Sequence, residues 1–349
     1  MTTLLVLGGT QFLGRAVAEE AVRQGVRVVV VHRGEHEPPV GVTAIRGDRT
    51  DPGSWTEVEN LLARERWDLV VDTWSGEPSA VRRSAAGLRD RADRYAYVSS
   101  RSVYAWPPPD GAEEDAPVVD LPDGDDPDDL GYAESKLLAE RAVEEHFGAR
   151  ALILRAGLLV GPRENTGRLP RWLARLAAGG PVPVPGPPDL DWQYVDARDL
   201  AAWTLRAAAD GLGGVFDAVG PPGGTTTAEL LGLGAEITGG GSTLHWRAPA
   251  AFVDAEVQPW TDLPGWFPPG PEHAAVHRGA AAKAARYGLV QRPLRDTVAD
   301  TWAWMCTAEG RAAVGDLDPL WSAEVERRLL DAGGAIPAQP SVRSPATNN

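Results

Sequence analysis

The stretch Leu4-Leu-Val-Leu-Gly-Gly-Thr-Gln-Phe-Leu-Gly14 decides the fold of this chain. An apolar run leads directly into a glycine-rich turn, and the residues after the turn show helical periodicity. Glycines in such a strand–turn–helix unit let backbone N–H groups approach a pyrophosphate, and the helix N-terminus adds partial positive charge. A turn that needs glycine only for steric reasons is the alternative. We expect dinucleotide contacts from Gly8, Gly9, Thr10, Gln11, Phe12, Leu13 and Gly14.

Strand and helix patterns alternate up to about residue 160. The predicted strands are 4–7, 26–31, 43–45, 68–71, 95–99 and 151–154. The predicted helices are 12–24, 54–64 with Ser54 as N-cap, 78–88 and 132–147. The alternation predicts an α/β fold, a Rossmann-type doubly wound parallel sheet with a smaller, irregular C-terminal cap.

Proline and glycine become frequent after residue 160, and the pattern loosens. We expect a dinucleotide-binding Rossmann domain at residues 1–160. Residues 161–310 are predicted to be mostly a substrate-binding cap, with some segments returning to the sheet. Residues 311–349 are predicted to be a C-terminal helix and a disordered tail. Six of the thirteen tryptophans lie from Trp246 onward, and packing of the cap explains them better than a ligand cage does.

The composition disfavours several classes of function. A net charge of −15 over 349 residues makes nonspecific binding to nucleic acid or to anionic membranes a poor hypothesis. No stretch approaches the roughly 20 apolar residues of a membrane span, and the N-terminus lacks a signal-peptide pattern. The single cysteine, Cys306, has no internal partner, which indicates a reducing cytoplasmic location and a packed core residue.

The run Gly131-Tyr-Ala-Glu-Ser-Lys136 carries the candidate catalytic pair. Tyr132 and Lys136 are four residues apart, so on a helix they lie one above the other on one face. An ammonium there favours a phenolate, and the tyrosine can then exchange a proton near neutral pH. This spacing alone is common on exposed helix faces. Here it follows the glycine turn and the pair Ser99–Ser100, whose hydroxyls could bind a substrate carbonyl or simply form a turn.

The end of the second predicted strand bears on the choice of cofactor. NAD-binding units usually place an acid about 20 residues after the glycines to hold the ribose hydroxyls, and here the positions are His32 and Arg33. Arg33 could pair with a 2′-phosphate that a carboxylate would repel, which favours NADP(H) over NAD(H). The alternative is a solvated loop charge. Asp48 lies where an adenine amino group could be contacted, and Arg49 could add a second cation near the phosphate.

Together these motifs resemble the extended short-chain dehydrogenase/reductase superfamily, in its NAD(P)-dependent epimerase/dehydratase branch. The resemblance covers roughly residues 3 to 305 and includes the runs Leu154–Pro162 and Gln193–Leu200. It implies Tyr132 as general acid/base, Lys136 as its partner and as a ligand of the nicotinamide ribose, and Ser100 as the hydroxyl that orients the reacting carbonyl. Further cofactor contacts are implied for Thr73, Trp74, Ser99, Ala156 and Leu158, beside Tyr132 and Lys136.

Departures from the family pattern narrow the range of expected substrates and reactions. Gln11 stands where a third glycine is usual, and Ala156–Leu159 replaces the asparagine that many nucleotide-sugar epimerases carry. Arg101 and Ser102 follow Ser100 where dehydratases have acids, which disfavours dehydration. The Gly-Gly-Thr-x-Phe-Leu-Gly opening and the run 260–266 resemble a reductase-like bacterial subgroup.

We therefore expect an NADP(H)-dependent oxidoreductase that acts on a carbonyl or secondary alcohol of a small substrate, such as a sugar or natural product. The alternatives are a sugar-nucleotide epimerase with tightly bound cofactor, and a non-catalytic nucleotide-sensing or RNA-binding relative. The acidic segment 106–130 is predicted to be a lid, with a disordered loop as the alternative. We expect a small-molecule substrate, no nucleic acid, membrane or metal, and a monomer or homodimer.

Overall fold

Eleven strands form one large and two small sheets within the residues that this computed structural model describes, 1–122, 130–273 and 275–332. The predictions made for residues 123–129 and 333–349, including the disordered tail, lie outside the described residues. The strands are β1 (Thr3–Leu7), β2 (Arg27–His32), β3 (Thr43–Arg46), β4 (Leu69–Asp72), β5 (Tyr95–Ser100), β6 (Ala151–Ala156), β7 (Leu158–Val160), β8 (Gly180–Pro185), β9 (Tyr194–Asp196), β10 (Gly214–Ala218) and β11 (Ser242–Arg247).

The α-helices of the same described ranges account for most of the remaining regular structure. Among them, none combines the length and the apolar character that a bilayer crossing requires. They are α1 (Phe12–Arg23), α2 (Pro52–Leu62), α3 (Pro78–Leu88), α4 (Tyr132–Phe147), α5 (Arg168–Ala177), α6 (Ala197–Ala209), α7 (Thr227–Thr238), α8 (Pro249–Asp254), α9 (Ala282–Arg286), α10 (Leu294–Met305), α11 (Ala308–Gly315) and α12 (Ala323–Asp331).

The large sheet has seven described strands in the order β10-β6-β5-β4-β1-β2-β3, and every neighbouring pair is parallel. The chain runs outward from β1 to β3, then returns to β4 beside β1 and continues to the other edge. The strand order therefore reverses between β1 and β4, where doubly wound sheets bind ligands at the carboxyl ends of the strands. The predicted Rossmann-type fold is confirmed.

The sheet is buried on both faces, which explains the unbroken apolar runs of its strands. In β1, Leu4 and Val6 belong to the core that contains α1 and α6. Leu5 and Leu7 belong to the opposite core, which contains residues of α2, α3 and α4. Successive side chains of a strand point to opposite faces, so one strand supplies both layers.

Helix α2 begins earlier than the sequence predicts. Asp51, not Ser54, is the N-cap: its carboxylate accepts a hydrogen bond from the Gly53 N–H, and Pro52 occupies the first helical position. Proline is favoured there because its missing N–H would have no intrahelical partner. The Ser54 hydroxyl instead accepts a hydrogen bond of 2.9 Å from the Asp48 N–H and so supports the loop after β3.

The chain divides into two compact units. The first contains residues 1–165, 193–221 and 278–292, with the large sheet. The second contains residues 166–192, 222–277 and 293–349. In its described part, β8 pairs with β11, and aromatic side chains form a core. The ring centroids of Trp172 and Trp321 lie 5.8 Å apart in an edge-on arrangement, and those of Phe252 and Trp266 also lie 5.8 Å apart.

Cys306 corrects one prediction, because its side chain is exposed rather than packed in a core. It forms the C-cap of α10, directly after the buried residues Trp304 and Met305. Successive residues of a helix point in different directions, so Cys306 can face solvent although the two residues before it are buried. The absence of a second cysteine in the sequence therefore did not predict whether Cys306 is buried or exposed.

Phe252→Ala tests the aromatic core of the second unit. Phe252 is fully buried, so the truncation is expected to lower the free energy of unfolding by about 3–5 kcal/mol. Urea denaturation followed by tryptophan fluorescence measures the change. The neighbouring Val253 is 54% exposed, and Val253→Ala is expected to change stability by less than about 0.5 kcal/mol. Equal urea midpoints for the two variants would contradict this description of the core.

Candidate active site

The glycine turn after β1 is packed too tightly for side chains. Gly8 has a φ of +96°, and a Cβ placed on Gly14 would lie 2.2 Å from the Gly8 carbonyl oxygen. A Cβ on Gly8 would lie 2.5 Å from the Thr73 hydroxyl oxygen. Thr73 donates to the carbonyls of Leu7 and Gly8, both at 3.2 Å, and so supports the turn from the loop after β4.

The N-terminus of α1 lies open directly after this turn. Gln11 is the N-cap, is exposed and makes no side-chain capping bond, so its side chain in place of a third glycine does not block the turn. The N–H groups of the first helical turn have no intrahelical acceptors and carry partial positive charge. A glycine cradle that a Cβ would fill, followed by an uncapped helix end, fits the pyrophosphate of a dinucleotide.

Two exposed arginines, Arg33 and Arg46, lie at the ends of β2 and β3. Arg33 is exposed and forms a 3.0 Å ion pair with Glu35. Arg46 pairs with His32 in the β2–β3 register, and its Nε donates to the Arg33 carbonyl at 3.0 Å. Sequence reasoning missed Arg46, which only the strand register reveals. Burial and the charge of Arg46 lower the pKa of His32.

Arg49 was predicted to add a second cation near the cofactor phosphate, but its guanidinium points into the protein interior. Its side chain is only 5% exposed and binds Asp72 with two bonds of 2.6 and 2.8 Å. The charge is thus already paired and is not available to a phosphate. The preceding residue, Asp48, is half-buried, and the backbone and side-chain hydrogen bonds from Thr50 lower the pKa of its carboxyl group.

The candidate catalytic pair lies at the start of α4. Tyr132 is the first helical residue and is 53% exposed, whereas Lys136, one turn further, is buried. The Lys136 Nζ lies 5.9 Å from the centroid of the Tyr132 ring and 4.8 Å from that of Tyr97. It donates to the carbonyl oxygens of Trp74 at 2.6 Å and Val98 at 2.8 Å. Burial lowers the pKa of Lys136 to about 7.

The two serines at the end of β5 point to opposite faces. The Ser99 hydroxyl donates to the buried carboxylate of Glu140 at 2.5 Å, so the side chain of Ser99 anchors α4. Ser100 is half-buried, and its hydroxyl accepts a bond of 3.1 Å from the Ser102 N–H. In the β5–β6 register Ser100 lies beside Ala156, at the same carboxyl edge. Leu158 lies just beyond, in β7, which pairs with β9.

The described part of the acidic segment is folded back and anchored. Backbone hydrogen bonds join Ala105 to Pro117 and Val119 to Val103. The Glu114 carboxylate accepts a 3.0 Å bond from the Asp217 N–H in β10. A disordered loop therefore does not describe residues 105–119. Residues 123–129 of the predicted lid lie outside the described residues.

A buried polar cluster adjoins this anchor. The Tyr104 hydroxyl donates to Asp217 at 2.7 Å, and Arg155 lies over the Tyr104 ring while its guanidinium binds Glu140. Burial raises the pKa of Asp217 to about 6, against the opposing charge of Arg101. Within the described ranges, this cluster included, no group of three or more histidine, cysteine, aspartate or glutamate side chains could hold a metal ion.

The glycine turn, the switch in strand order and the tyrosine above a buried lysine define a nicotinamide-dependent enzyme of the extended short-chain dehydrogenase/reductase superfamily. The model of the NAD dependent epimerase/dehydratase family matches residues 4–217, more than half of the chain. The chain belongs to this family, and the resemblance stated from the motifs is confirmed. The cofactor class of the family is NAD(P).

Known proteins similar to this chain include the chloroplast stem-loop binding protein of 41 kDa b from Arabidopsis thaliana. The two are 25% identical over 221 residues, which are 58% of this chain and 54% of that protein. The chain thus spans about half the length of this curated relative.

Solved structures with the same fold include the epimerase Mth375 of Methanothermobacter thermautotrophicus, with a TM-score of 0.65, 16% identity and coverage of 90% of this chain and 94% of that one. The Bordetella bronchiseptica enzyme WbmH, in complex with NAD+, has a TM-score of 0.62, 22% identity and coverage of 89% and 100%. The UDP-glucose 4-epimerase of Thermus thermophilus, in complex with NAD, has a TM-score of 0.62, 20% identity and coverage of 88% and 100%. At these identities the likeness shows the fold.

Gly14→Ala tests the glycine cradle. The added methyl group would meet the Gly8 carbonyl and displace the turn, so the Kd for NADPH is expected to rise about tenfold or more, since each tenfold costs about 1.4 kcal/mol. Fluorescence titration measures it, with circular dichroism as the check on folding. Gly53→Ala is the matched control, because a Cβ there meets its neighbour at an ordinary 3.5 Å. An unchanged Kd for folded Gly14→Ala would argue against this site.

Proposed function

We propose that the protein is an NADP(H)-dependent oxidoreductase that interconverts a carbonyl and a secondary alcohol on a small molecule. The observation that carries the proposal is the placement of the buried Lys136 ammonium beneath the exposed Tyr132 ring, at 5.9 Å. An exposed phenol over a buried cation is arranged to exchange a proton with a bound ligand. Membership of an NAD(P)-dependent family supports the same chemistry.

The chain's own residues would act on the substrate oxygen. Tyr132 donates the proton to that oxygen or takes it, and Ser100 orients the oxygen by a hydrogen bond. Lys136 places its ammonium beneath the phenol ring, where it can stabilise the negative charge that develops on the phenol oxygen while the proton is transferred. When bound, the nicotinamide would supply or accept the hydride. A positioned proton donor contributes about 10²–10⁴-fold to the rate.

The proposed preference for NADP(H) rests on Arg33 together with Arg46. Both are exposed at the end of β2 and β3, and they are linked through the Arg33 carbonyl. The ion pair of Arg33 with Glu35 is exposed on both sides, so it contributes little and a phosphate can displace it. Arginine binds phosphate through two parallel N–H groups, which a ribose hydroxyl cannot match.

A sugar-nucleotide epimerase with tightly bound cofactor is the second candidate. The observation in its favour is that the similar solved structures include two UDP-glucose 4-epimerases. The alignments with this chain cover 98% and 100% of those two chains. Denaturing the purified protein and quantifying the released nucleotide separates the two candidates. Stoichiometric cofactor retained through purification supports the epimerase, whereas an empty protein that binds NADPH reversibly supports the oxidoreductase.

The name of the Arabidopsis relative describes binding to stem-loops. A net charge of −15 opposes binding to a polyanion, and the tyrosine–lysine pair is retained in this chain. We therefore propose a small-molecule substrate rather than a nucleic acid, in a cytoplasmic enzyme.

Tyr132→Phe tests the proton donor. Loss of the hydroxyl is expected to lower kcat by about 10²–10⁴-fold, with little change in the Kd for NADPH. The assay follows NADPH oxidation with a panel of aldehydes, ketones and keto-sugars. Tyr287→Phe is the matched control, since Tyr287 is a second exposed tyrosine of the first unit, 46% exposed. Full turnover by Tyr132→Phe would refute the mechanism.

A double variant, Arg33→Ala with Arg46→Ala, tests the cofactor preference. Each bond to a charged group contributes about 1.5–3 kcal/mol, so the Kd for NADPH is expected to rise at least tenfold while that for NADH changes less than about twofold. Arg82→Ala, which removes another exposed arginine, is the control. Equal losses for both cofactors would exclude a 2′-phosphate site here.

A further inference from the structure

The two carbonyl oxygens that bind Lys136 differ in how they are held. Val98 lies within β5, where pairing with β4 and β6 fixes the strand. Trp74 lies two residues beyond the end of β4, outside the sheet. Its carbonyl accepts the shorter of the two bonds from the Lys136 Nζ, 2.6 Å against 2.8 Å. The position of the ammonium therefore depends on whatever holds the loop at Trp74.

Trp74 is held through both its backbone and its ring. Its N–H donates to the Asp72 carboxylate at 3.0 Å, and its indole N–H donates to the Glu77 carbonyl at 3.0 Å. The Arg49 guanidinium lies over the ring, 5.1 Å from its centroid. The Tyr97 hydroxyl donates to the same Trp74 carbonyl that Lys136 uses, at 3.2 Å.

Arg49 and Asp72 form one rigid unit inside the protein. Asp72 is fully buried and accepts bonds from both terminal nitrogens of Arg49 and, at 2.6 Å, from the Tyr95 hydroxyl. Arg49 also donates to the Ala80 carbonyl at 3.1 Å and to the Ser84 hydroxyl at 2.9 Å. A buried ion pair is weak evidence for stability, since apolar residues often replace one without loss. A role in fixing geometry explains this pair better.

We propose that the buried Arg49–Asp72 pair is a positioning device for Lys136: it fixes the Trp74 carbonyl and thereby holds the ammonium beneath Tyr132. The inference rests on the proposed function, because that function makes Lys136 a catalytic residue. The loop that carries Arg49 also carries Asp48, the candidate adenine contact, so one loop serves both ends of the cofactor site.

The charges around Lys136 predict the direction of the effect. Burial lowers its pKa to about 7, Asp72 and Glu140 oppose that fall, and Arg49 adds to it. The rings of Tyr97 and Tyr132 are the other ionisable groups that face the ammonium. The ammonium is present below its pKa and is lost as pH rises through it. Removing the Asp72 charge and the fixed Trp74 acceptor both lower the pKa further.

The chain has only two lysines, Lys136 and Lys283, which makes the test direct. Protein labelled with ¹³C at lysine Cε gives two signals, and Lys283→Arg assigns that of Lys136. The ligand-free protein is titrated by NMR as wild type and as Asp72→Asn. Asp68→Asn is the matched control, because Asp68 precedes β4 at its opposite end and binds the N–H groups of Thr2 and Thr3.

The pKa of Lys136 is expected to fall by about one pH unit in Asp72→Asn and to stay unchanged in Asp68→Asn. The alkaline limb of the kcat profile is expected to move down with it. An unchanged Lys136 signal and pKa in folded Asp72→Asn would overturn the proposal. If that variant does not fold, Arg49→Met with Asp72→Asn removes both charges. Their effects on the Lys136 pKa oppose each other, so the readout there is the position of the Lys136 Cε signal, and an unmoved signal would overturn the proposal equally.

The two hypotheses fail separately. A lowered Lys136 pKa in Asp72→Asn with no turnover by the wild type would refute the proposed oxidoreductase and support the positioning device. Normal turnover by the wild type, with an unchanged Lys136 pKa in Asp72→Asn, would support the oxidoreductase and refute the positioning device.

Discussion

A lysine ammonium buried beneath a surface tyrosine is the constraint on which the site depends. An ammonium in the interior must find hydrogen-bond acceptors, or it loses its proton. Lys136 is only 3% exposed, and its acceptors are backbone carbonyls from β5 and from the loop after β4. The helix, the strand and the loop must therefore converge at one point of the carboxyl edge.

Two buried ion pairs surround this point on one face of the sheet. Arg49 binds Asp72, and Arg155 binds Glu140, which also accepts the hydrogen bond of Ser99. The carboxylates of both pairs favour the charged lysine, and Arg49 lowers the pKa of the Asp72 carboxyl group although burial opposes it. Burial outweighs the carboxylates and lowers the pKa of Lys136 to about 7. Such a group can change its charge with small changes in its surroundings.

Most of the fold was predictable, because its signals are local. The apolar run before Gly8, the helical periodicity after Gly14 and the four-residue spacing of Tyr132 and Lys136 depend on neighbours within a few residues. The placement of Tyr132 and Lys136 on one helix was predictable for the same reason. The ends of helices were less predictable from the sequence. Asp51 and Ser54 are both favourable N-cap residues, and α2 begins after Asp51 because Pro52 suits the first helical position.

The sequence by itself determined the doubly wound sheet, the glycine cradle and the residues of the tyrosine–lysine pair. The tertiary structure alone decided the partners of long polar side chains. Arg49 meets Asp72 across 23 residues of chain, Ser99 meets Glu140 across 41, and Lys136 meets Trp74 across 62. Periodicity tells which face a residue occupies, but strand order and register tell which side chain lies opposite it. These contacts exist only once the strands have paired.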